Sequence, residues 1–282
     1  MPSTTSYSKP YFVPTQVSGC QLWLDAADTN TVQISGGAVT QWNDKSVNGY
    51  TATPSGTITY SYPTLSTTSS SYFSVPVDSR RTIAPNLQVF IVYTWLGYGS
   101  NTNQGLWGDD TGGWNRLQLL SFPANTEDEY ALSWGNTSTP NGAVATGLNT
   151  PDKLIYQASY NSYTTNGSAI YLNGTNAVSF TDSPPLTETT DTNTYFAAIG
   201  PGSDLPTAIA FNEILMYTTT LSELDRQNIE GYLAQKWSLT SGLPPGHPGF
   251  QYTYYKTNSA FAYSVPSLTR INTAFGYASV PK

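Results

Sequence analysis

Apolar and polar positions alternate in many short stretches along the chain, and one late stretch switches to helical spacing. Ile209, Phe211, Ile214, Met216 and Tyr217 lie in a β-branched and aromatic run with few charges, the signature of a strand packed on a core. Asn212-Glu213 interrupts the alternation, which reads as a bulge or a buried acid. Residues 218–220 break the pattern, and Ser222 is a good N-cap. Glu223 and Asp225 place negative charge in the first turn, where the helix dipole favours it. Leu221, Ile229, Tyr232, Leu233 and Trp237 share one arc, so one helix face is expected against a sheet. Gly242, Pro244 and Pro245 stop the helix.

Upstream, residues 20–26 alternate Leu22 and Leu24 against Trp23 and Asp25, a half-buried strand. Residues 39–42 form a second strand, ended by Asn43-Asp44. Residues 54–70 are Ser/Thr-rich and read as loop. Residues 72–75 are a short strand stopped by Pro76. Residues 87–96 are almost continuously apolar, so this strand is expected in mid-sheet with both faces covered. Further strands are read at 106–107, 117–122, 130–134 and 153–160. Asn173-Gly174 joins residues 169–172 to 177–180 as a hairpin. Short strands separated by turns, with a single late helix, predict an all-β fold: a two-sheet antiparallel sandwich.

The ends differ from the middle. Residues 1–17 are polar and contain Pro, with Tyr7, Tyr11, Phe12 and Val13 as sticky points; they read as an N-terminal arm. Residues 249–282 carry Tyr255, Phe261, Tyr263, Phe275 and Tyr277 with little periodicity. Ala260-Phe-Ala-Tyr-Ser-Val-Pro266 and Ala274-Phe-Gly-Tyr-Ala-Ser-Val-Pro281 are near copies. A repeated, extended aromatic peptide suits an arm docked in a partner's groove or sheet edge, and those five aromatics are the expected docking residues. The alternative is that the arm wraps its own domain.

Composition narrows the function classes. Charged residues make up 10% of the 282, well below the usual quarter. The net charge is −7, and Arg80-Arg81 is the one adjacent basic pair, so nucleic acid is not an expected partner. Cys20 is the only cysteine, which excludes an intrachain disulfide and reads as a buried thiol. No window approaches a membrane span, and the N-terminus has neither a basic n-region nor an apolar h-region, so no signal peptide is expected. The sequons at Asn136, Asn166 and Asn173 read as chance matches at Asn/Gly turns.

The closing stretch FNEILMYTTTLSELDRQNIEGYLAQKWSL, with Ala169-Ile-Tyr-Leu-Asn-Gly174, Thr194-Tyr-Phe-Ala-Ala-Ile-Gly200, Leu22-Trp-Leu-Asp-Ala26 and Val39-Thr-Gln-Trp-Asn-Asp44, resembles concanavalin A-like, laminin-G-like domains. The resemblance spans residues 18–248 and implies a jelly-roll sandwich, with arms at 1–17 and 249–282. The ending EGYLAQKWSLTSGLPPGHP resembles such domains in virion proteins of large DNA viruses and phages, and in some bacterial surface proteins. This implies a non-enzymatic structural or adhesion protein of a virion, a minor capsid, vertex or fibre component. It would be made in the cytoplasm and displayed on the virion surface, dock to capsid proteins through its arms and contact glycans. A free carbohydrate-binding lectin and a glycoside hydrolase are the alternatives.

Glucanases of this family carry Glu-x-Asp-x-x-Glu on a strand. Glu223-Leu-Asp225 begins that way, but Gln227 and Asn228 follow, on a predicted helix. Glu127-Asp-Glu129 has the wrong spacing, and Glu213 reads as a satisfied structural acid. His247, the single His, reads as a turn residue with its ring in a surface groove. Calcium is the family's common ion, and Asp109, Asp110, Asp204, Asp25 and Asp28 are its candidate oxygens. They read as solvated turn acids, so no metal site and no cofactor are assigned. A sugar platform needs exposed rings among Asn, Asp and Gly. Tyr98, Trp107 and Trp114, with Asn101, Asn103, Asp109 and Asn115, form the candidate ligand-binding site. The alternative for Trp107 and Trp114 is packing in the core or at its rim.

Overall fold

The structure is a computed structural model that describes residues 12–97, 103–110, 116–121, 131–135, 140–145, 152–182, 191–202, 205–247, 253–257 and 260–264. The strands are β1 (Cys20–Asp25), β2 (Val32–Ser35), β3 (Ala38–Asn43), β4 (Thr51–Ser55), β5 (Thr59–Ser61), β6 (Thr64–Ser66) and β7 (Tyr72–Val75). Next come β8 (Gln88–Trp95), β9 (Gln104–Gly108), β10 (Leu117–Ser121), β11 (Ala131–Gly135), β12 (Pro140–Ala145) and β13 (Lys153–Ser159). The chain closes through β14 (Ser168–Leu172), β15 (Thr175–Phe180), β16 (Thr194–Phe196), β17 (Ile209–Tyr217), helix α1 (Glu223–Lys236), β18 (Thr253–Thr257) and β19 (Ala260–Ser264).

One sheet runs β15-β14-β13-β8-β17-β6-β5, with β1 also paired to β17; the other runs β12-β11-β10-β9-β16-β7-β4-β3-β2. The pairings are antiparallel, and the two sheets make the expected sandwich. β8 lies between β13 and β17, as its continuous apolar run predicts. Its alternation splits it cleanly. Val89, Ile91 and Tyr93 enter the core between the sheets, while Phe90 and Val92 join a second core under α1. Ile229, Tyr232, Leu233 and Trp237 complete that second core from the helix. Burial of each such side chain contributes about 1.5–3 kcal/mol, so tertiary packing rather than intrinsic propensity holds the helix.

β17 carries the bulge expected at Asn212: its register against β8 shifts between Phe211 and Glu213. The bulge falls where β17 changes its other partner. Ala210 and Phe211 pair with β6, whereas Glu213 to Tyr217 pair with β1. The Asn212 amide donates to Pro63 O at 2.9 Å, and its own carbonyl accepts from Ala26 N at 2.9 Å. The β14–β15 hairpin turns on Asn173 (φ 47°) and Gly174 (φ 77°), the two positive values that a two-residue turn of this kind requires. Ser222 caps α1, accepting from Asp225 N at 3.1 Å.

Four expectations need correction. Residues 54–70 are not loop: the end of β4, then β5 and β6, pass through them, and β6 pairs with β17, far along the chain. β2, unread in the sequence, pairs with β3. β1 is buried on both faces, since Trp23 and Asp25 lie under α1 rather than facing water. The segment read as an N-terminal arm joins the domain before residue 18. Phe12 packs on Tyr232 with ring centroids 5.9 Å apart, and the Tyr217 hydroxyl donates to Pro14 O at 3.1 Å. In the C-terminal segment, β18 and β19 pair with each other as a separate two-stranded sheet. That hairpin contains Tyr255, Phe261 and Tyr263; Phe275 and Tyr277 lie outside the described residues.

Candidate functional site

One end of the sandwich is organised by a buried acid held between two arginines. Asp182 sits on the segment leaving β15, Arg81 in the turn before β8, and Arg116 at the start of β10. Arg81 Nε lies 2.6 Å from Asp182 Oδ1, and Arg116 donates from NH2 to Asp182 Oδ2 at 2.8 Å. All three side chains are at most 1% exposed. Arg116 also donates to Ser79 O at 2.7 Å, to Ala84 O at 2.8 Å and to the Ser162 hydroxyl at 2.7 Å. Its guanidinium lies over the Tyr160 ring, 4.4 Å from the centroid. Burial works against the charge on Asp182, but the Arg116 and Arg81 guanidiniums outweigh it and hold the carboxyl below the usual range. Three separate loops are thereby fastened to one carboxylate.

Asp109 belongs to the same end. Its carboxylate accepts from Arg116 N at 2.9 Å and from the Ser79 hydroxyl at 3.1 Å. Burial pushes the Asp109 carboxyl up to about 6, against the pull of Arg116 and Arg81.

The loop between β13 and β14 rises from this hub. The Ser162 hydroxyl donates to Asp182, and Ser162 N donates to Pro85 O at 3.0 Å. Tyr163 follows, 60% exposed as a residue, with its backbone at φ 68°, a conformation that bulky L residues rarely adopt. Its N–H donates to Asp182 O at 3.2 Å. Asn161, Thr164 and Asn166 surround it in sequence. Thr164 Oγ1 donates to Asn161 Oδ1 at 3.2 Å, and Asn166 N donates to Thr181 Oγ1 at 2.9 Å. Ile83, 58% exposed, lies on the adjoining Arg81 turn. The end thus presents an aromatic ring, amides and hydroxyls on a fixed base.

Of the platform expected from the sequence, only Trp107, Asp109 and Asn103 lie among the described residues. Trp107 is fully buried, and its indole N–H donates to the Tyr156 hydroxyl at 3.1 Å. Trp107 is therefore a core residue, and Asp109 serves the buried hub instead of a ligand surface. Tyr98, Trp114 and Asn115 lie outside the described residues, as does Asn101. Tyr163 was missed. The legible signal was Asn161-Ser-Tyr-Thr-Thr-Asn-Gly167, a turn-forming run with one aromatic in it.

A second charged cluster lies between α1 and the first sheet. Glu213 accepts from the Trp23 and Trp237 indoles and the Tyr232 hydroxyl, each at 2.7 Å, and Lys236 Nζ lies 2.7 Å away. This is the satisfied acid that the sequence suggests. His247 is buried rather than in a surface groove, because its ring reaches Glu230 at 2.7 Å. Glu223 faces Arg226 and Asp225 the cap Ser222, so neither acid is presented as a catalytic pair. The calcium candidates Asp25 and Asp28 both grip Lys45, at 2.8 and 2.9 Å. Among the described residues no group of three or more His, Cys, Asp or Glu side chains is arranged to hold a metal. Burial pushes the Cys20 thiol up to about 12, which leaves it protonated and unreactive at neutral pH.

No protein-family model and no curated protein sequence matches the chain. Solved structures do match in shape. The binding domain of botulinum neurotoxin DC, solved with SialylT, superposes with a TM-score of 0.53 at 9% identity, over 76% of this chain and 51% of that one. The botulinum neurotoxin serotype D binding domain gives 0.56 at 11% identity, over 89% and 64%. Trypanosoma rangeli sialidase, solved with sialic acid, gives 0.56 at 14% identity, over 82% and 36%. This chain therefore spans between about a third and two thirds of those chains. At such identities the likeness concerns the fold alone, a β-sandwich.

Proposed function

We propose that this protein is a non-enzymatic, lectin-like adhesion module of a virion, which contacts surface glycans through the loop end carrying Tyr163. The observation that carries the reading is the Tyr163 ring, exposed in a left-handed backbone conformation on a loop fastened to the buried Asp182 hub. Strain kept at an exposed aromatic on a rigid base is the mark of a binding position. A pre-ordered ring with neighbouring amides offers a sugar face a stacking surface at small entropic cost. One structural neighbour was solved with SialylT and another with sialic acid, so sialylated glycans head the list to test.

The non-enzymatic part is supported by four buried carboxylates, Asp25, Asp182, Glu213 and Glu230, each engaged by a neighbouring cation. The virion part rests on the resemblance of the closing strand and helix to virion domains. Docking to capsid proteins through Tyr255, Phe261, Tyr263, Phe275 and Tyr277 rests on the aromatic repeat. A free lectin is the second reading, and the shared sandwich fold favours it equally.

A broad glycan array, run with and without chelator, tests the binding. The expected result is selective, chelator-insensitive retention of a glycan that Tyr163→Gly abolishes. No retention overturns it. Removal of residues 250–282 tests the docking. Lost occupancy in the particle is expected, and full occupancy contradicts the arm.

A further inference from the structure

The cluster under α1 holds more acid than base. Lys236 Nζ lies 2.7 Å from Asp25 Oδ1 and 2.7 Å from Glu213 Oε2, and the three side chains are at most 4% exposed. Aromatic rings wall it in. The ammonium lies 5.1 Å from the Trp237 ring centroid and 5.3 Å from that of Tyr232, while Trp23 donates to Glu213. The second cation, Lys45, is 20% exposed and is shared between Asp25 Oδ2 and Asp28. Asp25 Oδ1 accepts in addition from Ala27 N at 3.0 Å.

The rings keep water from the ammonium and from both carboxylates, so proton exchange among the three groups stays within the cluster. Proton transfer from Lys236 to Glu213, the acid whose carboxyl burial raises, leaves a neutral amine against the Asp25 carboxylate. Well-oriented intramolecular partners reach effective molarities of about 10⁵–10⁸ M, enough to drive amide formation where water is excluded. Lys45, on the Oδ2 side, stabilises the charge that develops on that oxygen as the carboxyl carbon is attacked.

We propose that Lys236 and Asp25 condense to an intramolecular isopeptide bond, with Glu213 as the proton shuttle. Lys236 Nζ attacks Asp25 Cγ, the Nζ–Cγ bond forms, and the protonated Glu213 gives its proton to Oδ1. An Nζ proton then passes to the Glu213 carboxylate. Glu213 returns it to the hydroxyl derived from Oδ1, the Cγ–OH bond breaks, and one water leaves. No oxidant, reductant or further reactant enters. Asp25 Oδ2 becomes the amide oxygen, still held by Lys45. The bond ties the first strand to the closing helix, a covalent clamp independent of the glycan-binding reading.

Mass spectrometry of the full-length, denatured chain tests the bond. The expected mass is lighter than the sequence by one water, and proteolysis yields a branched peptide joining residues 25 and 236. A wild-type chain at full sequence mass, or a water loss mapped elsewhere, overturns the proposal. Glu213→Gln is expected to restore the full mass while its circular dichroism matches wild type. If that variant still carries the bond between residues 25 and 236, the shuttle role is wrong. The wild-type measurement decides the bond even where a variant fails to fold.

Discussion

The two buried charge clusters are built in opposite ways. At the loop end, one acid, Asp182, answers two guanidiniums; at the helix seam, two acids, Asp25 and Glu213, share the fully buried ammonium of Lys236. Guanidinium does not give up its proton in proteins, whereas ammonium does so when buried. The loop end is therefore permanently ionic and acts as a bolt. At the seam burial acts on both acids alike, and the lysines set them apart. Burial raises Glu213, with Lys236 opposing, while for Asp25 the two lysines outweigh burial and lower it. Cation type and number, more than burial alone, decide whether a cluster braces the fold or reacts.

The sharpest way to break this contrast is Asp182→Ala, which strands two buried guanidiniums. A loss of about 3–5 kcal/mol is expected in urea unfolding, as for other buried pairs deprived of one partner. A loss below about 1 kcal/mol, the scale of a surface pair, would remove the bolt from the account. Trp237→Phe comes next. It deletes one of the Glu213 donors and keeps the ring, so about 1.5–3 kcal/mol is expected, the range for a bond to a charged group.

The pH dependence separates the acids by sign. Asp182, held below its ordinary range, contributes stability that is present at neutral pH and lost as the pH falls through its depressed value. Asp109, raised to about 6, acts in reverse: the folded chain holds the extra proton, so stability falls as the pH rises towards 6. Asp109→Asn is expected to flatten the unfolding midpoint between about pH 4 and 6 relative to wild type. An unchanged slope would mean that Asp109 does not titrate there. The smallest stability effect is expected at Tyr163→Gly. Relief of about 1–2 kcal/mol of left-handed strain is offset by about 0.5–1 kcal/mol of added unfolded-chain entropy.

What could be read in the sequence was local. The β17–α1 unit, the continuous apolar strand β8 and the Asn173-Gly174 hairpin announce themselves because period, cap and turn chemistry act over a few residues. The Ser/Thr strands β5 and β6 carry no such signal, since the ladder that defines β6 comes from β17, far along the chain. Buried charge was hidden for the same reason. Arg81 and Asp182 stand 101 residues apart, and nothing near either one foretells the other. The sequence leaves Trp107 between platform and core because a Trp beside Gly and Asp looks alike on a surface and in a core. Only its partner, the Tyr156 hydroxyl on the facing sheet, decides.

The most direct measurement is glycan retention by wild type and Tyr163→Gly side by side, with urea midpoints taken on the same preparations. The account predicts retention by wild type, none by the variant, and midpoints that agree within the offset just given. Equal retention by both proteins, or none by either, would contradict it.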